Sequence, residues 1–191
     1  LDKSALIRVH TGNGKGKTTA ALGLALQALG QGKRVKMIQF LKGSTYAGEL
    51  WAAARLWPEF EIKQYGYGCP QSALIRQGDV KCSGCGDCFR RNREQTPNLA
   101  SLALAEAERA ELGGEYELII LDEVSHALRH GLIGVEQVLR LIMEKPPQVS
   151  LVLTGRMMPP EIIAAADEAT EFCEVEHPLR RGMPSRRGIE Y

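Results

Sequence analysis

Short apolar or β-branched runs alternate along this chain with longer amphipathic or Ala/Leu-rich runs, the order expected of βαβ units around a parallel sheet. Strands are predicted over 5–10, 34–40, 60–65, 116–122, 149–154 and 171–177. The run from Lys17 to Leu29 is apolar or small all round and stops at Gly30 and Gly32, which predicts a buried helix ended by glycine. Thr96-Pro97 offers an N-cap followed by proline at the first helical position, and Leu99, Leu102, Ala103, Leu104 and Ala107 continue a helix that Gly113-Gly114 closes. Pro159-Pro160 opens another in the same way. The stretch 66–95 has neither period but carries five Gly and four Cys, so something other than a hydrophobic face must order it, and a metal is the first candidate. The pattern reads as a single α/β domain over 1–191 with a Cys-rich insertion at about 66–95.

Composition narrows the function classes. With 191 residues, 44% of them hydrophobic and 25% charged, the chain can bury one sizeable core. Lys plus Arg (24) nearly cancels Asp plus Glu (23), and a net charge of +1 gives no whole-protein reason to expect nucleic acid as partner. Phosphate binding has to be local. No apolar run approaches the roughly 20 residues that cross a bilayer, so no membrane span is expected and a cytoplasmic location is the default. Clustered cysteines in such a chain point to metal or redox chemistry rather than a disulfide scaffold.

The clearest motif follows the first strand: Thr11-Gly12-Asn13-Gly14-Lys15-Gly16-Lys17-Thr18-Thr19, running into the predicted helix. It ends as a phosphate loop does, with backbone N–H groups and a helix N-terminus for the phosphates, Lys17 for their charge and the Thr18 hydroxyl for Mg²⁺. Thr11 stands where that pattern has its leading glycine, so the loop has its own curvature. A second motif is the apolar run 118–121 ending in Asp122-Glu123. In a phosphate-loop fold the strand beside the first carries such an acid toward the Mg²⁺, and Glu123 would either ligate the metal through water or orient a nucleophilic water. Leu153-Thr154-Gly155-Arg156 places an Arg at the same rim. The missing guanine-recognition motif disfavours a GTPase.

Cys82, Cys85 and Cys88, with Cys69-Pro70 upstream, offer four thiolates in one segment. The run Cys-Ser-Gly-Cys-Gly-Asp-Cys resembles the cluster-binding run of bacterial-type ferredoxins, which makes a 4Fe-4S cluster the first reading and zinc the second. Cys173, in the apolar sixth strand, reads as a small buried hydrophobe. His126 and His130, four apart, read as ordinary helix residues, because no Glu lies between them as in zinc hydrolase helices. The tail from Pro178 carries four Arg and is either a solvated end or a lid.

Taken with Gln39-Phe40-Leu41-Lys42-Gly43, Gly48-Glu49, Asp122-Glu123-Val124-Ser125-His126 and the closing Gly188-Ile189-Glu190-Tyr191, the loop resembles that of the phosphate-loop ATP:corrinoid adenosyltransferases, nearly end to end. The resemblance implies a mostly parallel, RecA-like α/β sheet of about six strands with flanking helices, commonly a homodimer. It implies transfer of the 5′-deoxyadenosyl group of ATP to the Co(I) of a corrinoid, with triphosphate leaving, and an electron donor such as a flavoprotein. Lys42, Glu49 and Arg156 match residues around the nucleotide. Tyr67 keeps one member of an aromatic pair that displaces the lower axial ligand, and Cys69 stands near where the second would fall.

Bottom-up chemistry agrees with that reaction. Co(I) is itself a strong nucleophile, so no Ser, Cys or His need be activated by a base. Lys15, Lys17 and the loop amides would hold the triphosphate, and Mg²⁺ on Thr18 with Asp122 or Glu123 would offset its growing charge. The alternatives are a phosphate-loop ATP hydrolase or small-molecule kinase, and a nucleotide- and metal-binding redox sensor.

Overall fold

The computed structural model of the chain describes residues 5–44, 47–94 and 98–176. Along the chain run β1 (Ile7–Thr11), α1 (Lys17–Gly30), β2 (Val35–Phe40), α2 (Gly48–Arg55), β3 (Phe60–Tyr65), α3 (Ser72–Gln77), α4 (Asp87–Arg93) and α5 (Asn98–Leu112). There follow β4 (Leu118–Asp122), α6 (Val124–Arg129), α7 (Val135–Glu144), β5 (Ser150–Thr154), α8 (Pro160–Ala164) and β6 (Glu168–Glu171). The strands form one six-stranded sheet in the order β3-β2-β4-β5-β1-β6. Every pairing in it is parallel.

Alternation along the central strands divides the core between two faces. Leu118 and Ile120 of β4 join Val35, Met37 and Val152 in a cluster with Ala21 and Ala25 of α1 and Ala53 of α2. Ile119 and Leu121 turn the other way and pack with Ile38, Phe40, Leu151 and Leu153 against α5, α6, α7 and α8. Strands covered on both faces are apolar at successive positions, which is why β4 and β5 stand out in the sequence.

Three expectations need correction. The helix after the first strand is not buried all round: Lys17, Ala21 and Ala25 face the sheet, while Leu26 is 63% exposed. Its outward face is apolar because Ala and Leu favour helix, not because a second layer covers it. The sixth strand lies at 168–171 rather than 171–177, and all four of its residues are exposed. Its partner β1 ends at Thr11, paired with Glu171; Phe172 still bonds the backbone of Thr11 and Gly14, and the described residues after it have no strand of the sheet alongside. A charged edge strand also resists pairing with another sheet. Finally, β4 is not beside β1, because β5 lies between them. The Thr96-Pro97 cap lies outside the described residues; the helix it would open is present as α5, and the Gly113 N–H donates to the Arg109 carbonyl at its end.

Two buried groups on the α5 side are ionisable. Lys36 sits between Glu61 (2.7 Å) and Glu106 (2.9 Å), and Lys63 also donates to Glu106, which is held down to about 2 by these bonds against the effect of burial. Glu111 is the opposite case. It is 4% exposed, its Oε1 has no hydrogen-bond partner, and burial pushes its pKa from 4.5 up to about 8. Ionised when unfolded and protonated when folded, it takes up a proton on folding at neutral pH. Stability is therefore full below about 4.5 and falls as pH rises toward about 8. Glu111→Gln is expected to flatten that slope and add about 1–2 kcal/mol at pH 7, as read from urea unfolding at pH 5 and pH 8.

Candidate active site

Because the strands are parallel, their C-terminal ends share one edge, and four of them deliver groups to it. From β1 the chain enters the loop 11–16, where Gly12 and Gly16 have φ of 96° and 109°, and α1 begins at Lys17. The Lys17 ammonium turns back into the loop, donating to the carbonyls of Gly12 (2.8 Å) and Gly14 (2.6 Å). Burial pushes its pKa down, and Glu123 opposes that shift. Asn13, Lys15 and Thr19 are exposed around the loop.

Asp122 is the hub. Wholly buried at the end of β4, its Oδ1 accepts from the Thr18 hydroxyl (2.8 Å) and the Thr154 hydroxyl (2.7 Å). Its Oδ2 accepts from Gln39 Nε2 (3.1 Å) and Lys42 Nζ (2.6 Å). Burial alone would raise its pKa; the Lys42 ammonium and the hydrogen bonds from Lys42, Thr154 and Thr18 outweigh that and hold it below the ordinary carboxylate value. In return Asp122 lifts Lys42 against desolvation. Gln39 also donates to Glu49 Oε1 (3.1 Å), which ties α2 to the cluster. Thr154, from the strand that separates β4 from β1, holds Asp122 and the Glu123 N–H in place, and Thr18 at the start of α1 reaches Asp122 directly across that strand.

Glu123 follows in the left-handed region (φ 61°), its N–H donating to Thr154 Oγ1 (3.1 Å). Its Oε2 is buried without a hydrogen-bond partner, with His126 Nε2 at 3.6 Å. Leu41 and Met157 are also left-handed, at φ 57° and 54°, so every non-glycine residue of that kind among those described lies just past a strand end at this edge. Strain of this sort gathers at ligand sites. Arg156 is exposed beside it, and its carbonyl accepts from Ser125 Oγ (2.8 Å).

The Cys-rich stretch lies next to β2 and β3, where the backbone at Gly43 meets that of Gly66 and Gly68 too closely for any side chain. Contrary to expectation it contains two short helices, anchored by buried Ile75 and Asn92. The Asn92 amide accepts from Tyr67 N–H (2.7 Å) and donates to the carbonyls of Tyr67 (2.7 Å) and Cys88 (2.9 Å), and Arg91 lies over the Tyr67 ring. Cys69 and Cys88 are half-buried, Cys82 and Cys85 exposed, and none of the four is in a disulfide. Among the described residues no three His, Cys, Asp or Glu side chains come together as a metal site, so the four cysteines are not assembled. Cys173 is exposed rather than buried, because it follows the end of β6. His126 and His130 stack edge-on with ring centroids 6.4 Å apart. His177 and the Arg-rich tail lie outside the described residues.

The structure thus gathers Lys17, Thr18, Lys42, Glu49, Asp122 and Glu123, with Arg156 at the rim, and leaves Tyr67 and the cysteines in a neighbouring segment. Sequence reasoning did not assign roles to Gln39 and Thr154. Each is a polar residue near the C-terminal end of a largely apolar strand, and that was the available signal.

The profile of the family described as ATP:corrinoid adenosyltransferase BtuR/CobO/CobP matches residues 3–191. The chain belongs to that family. A corrinoid adenosyltransferase of Pseudomonas aeruginosa is 32% identical over 190 residues, covering all of this chain and 85% of that protein. One from Escherichia coli K12 is 30% identical over 190 residues, covering all of this chain and 87% of that one. Among solved structures, the flagellar accessory protein FlaH of Methanocaldococcus jannaschii is similar in fold alone, with a TM-score of 0.53 and 12% identity over 87% of this chain and 70% of that one. The adenosyltransferase moves the adenosyl group of ATP to a corrinoid, in cobalamin biosynthesis, which selects that reading over the hydrolase, kinase and sensor alternatives. No helix among the described residues is long and apolar enough to cross a membrane.

Proposed function

We propose that the loop 12–19 holds the triphosphate of ATP, that Lys17 and Lys15 offset its charge, and that Asp122 and Glu123 manage a Mg²⁺ with Thr18. The observation that carries this reading is the Asp122 hub, which ties Thr18, Lys42 and the loop helix to one buried carboxylate. In the reaction the Co(I) electron pair becomes the bond to C5′ while the C5′–O bond breaks, and triphosphate leaves with the electrons of that C–O bond. The protein's part is positioning and charge. Lys42, Glu49 and Arg156 line the nucleotide, and Tyr67 faces the corrin.

The donor set suits Mg²⁺: a buried, unpartnered Glu123 oxygen and a threonine hydroxyl at a phosphate loop are hard oxygen donors. When bound, the ion neutralises phosphate charge. Thr18 and Glu123 would hold the ion, with Asp122 fixing the Thr18 hydroxyl. Glu123→Gln is expected to raise the Mg²⁺ concentration for half-maximal rate about tenfold, with a smaller change in the rate at saturation, as read from initial rates across a Mg²⁺ series.

The segment 66–95 we read as an insertion in one domain that binds a 4Fe-4S cluster or zinc. Three thiols at two-residue spacings with Cys69 upstream support this; the side chains stand apart as described, and no step of transfer is routed through them. Protein purified without oxygen is expected to carry one zinc, or iron with sulfide, per chain, and Cys85→Ser with Cys88→Ser to lose it. Metal analysis that finds neither removes the loop from this role. Reduction of cobalt needs an electron that ATP does not supply, so a separate donor such as a flavoprotein completes the system. We place the enzyme in the cytoplasm as a homodimer, which light scattering in solution tests.

A further inference from the structure

The phosphate loop is gripped from outside by the chain that leaves β6. Phe172 N–H donates to the Thr11 carbonyl (2.8 Å), and the Phe172 carbonyl accepts from Gly14 N–H (2.7 Å). A Cβ on Gly12 would fall 2.5 Å from the Phe172 carbonyl oxygen, and one on Gly14 would fall 2.7 Å from Cys173 backbone atoms. The Phe172 ring leans on the buried His10 ring with centroids 5.4 Å apart, and its edge lies 3.5 Å from where a Gly16 Cβ would be. On its other side the loop is held by Lys17, through the carbonyls of the same Gly12 and Gly14.

We infer that Phe172 is a positioning residue for ATP, acting through the phosphate loop, and that Gly12 and Gly14 are glycines because this strap, not a phosphate, occupies the space beside them. Two consequences follow from the bonds themselves. The Gly14 N–H is spent on Phe172 and is not aimed at a phosphate. When a triphosphate draws the Lys17 ammonium off the loop carbonyls, the strap is the restraint that keeps residues 12–14 in shape. The inference rests on the reading that this loop holds the triphosphate.

The two strap bonds are main-chain bonds that any residue at 172 makes, so the test removes the ring that seats the strap on His10 and beside Gly16: Phe172→Ala, compared with Phe172→Leu, measured as KM for ATP, KM for the reduced corrinoid, kcat, and the Kd of inorganic triphosphate with Mg²⁺. The expected result is a rise of about tenfold in both KM for ATP and Kd for triphosphate, with the corrinoid KM and kcat near wild type, and recovery in the Leu variant. A purely structural role would lower the thermal midpoint and the active fraction while leaving both KM values and the triphosphate Kd unchanged, and that outcome overturns the inference. If the Ala variant does not fold, Phe172→Val is read in the same way with a smaller rise of about threefold. Wild-type protein that binds ATP but not triphosphate would overturn the loop reading itself, and this inference with it.

Discussion

Lys17→Ala is expected to lower kcat/KM for ATP by about 10²–10³-fold while leaving the fold intact. The group removed is the buried cation of the loop, unlike the exposed Lys15, and it is already desolvated and bound to the carbonyls of Gly12 and Gly14. A desolvated ammonium of depressed pKa gains more from a polyphosphate than an exposed one, because less water has to be displaced when the phosphate arrives. The charge on triphosphate grows as the C5′–O bond breaks, so part of the loss falls on kcat and not only on binding. Lys17→Arg is expected to recover little: a branched guanidinium does not fit a pocket sized for a single amine between two carbonyls. Steady-state kinetics with chemically reduced corrinoid, assayed for the cobalt–carbon bond and for triphosphate, reads both variants.

Asp122→Asn is expected to be the most damaging conservative change in stability as well as in rate. It leaves the Lys42 ammonium without its counter-charge and places an amide where the hydroxyls of Thr18 and Thr154 and the Gln39 amide all require an acceptor. Breaking a buried pair of this kind costs about 3 kcal/mol, which for a chain of this size lowers the thermal midpoint by about 10 °C. Adding Lys42→Met removes the stranded charge, and the double variant is expected to recover part of the stability but none of the activity. Calorimetry of the four proteins of that cycle separates the two effects.

What was legible in the sequence is what local pattern can carry. The continuous apolar runs of β4 and β5 marked central strands, and the loop 11–19 between a strand and a helix marked the phosphate site. The misplacements share one cause, which is that they depend on what lies alongside. Glu168 to Glu171 has no large apolar residue, because an edge strand needs only backbone pairing. The outward leucines of α1 look the same as inward ones when read along the chain. That β5 separates the acid strand from β1 is a property of the sheet order, and the Thr18–Asp122 bond that spans it becomes visible only with the strands in place. Spacing of the cysteines gives their number and type but not their assembly.

The pairing of β1 with β6 joins residues about 160 positions apart, among them Arg8 and Glu168. A ribosome adding roughly 5–20 residues per second releases the phosphate loop about ten seconds or more before the strand that braces it. Through that interval the nascent chain carries a complete nucleotide motif without the neighbour that shapes it. A strand made late thus sets when the loop made early acquires the brace at its side.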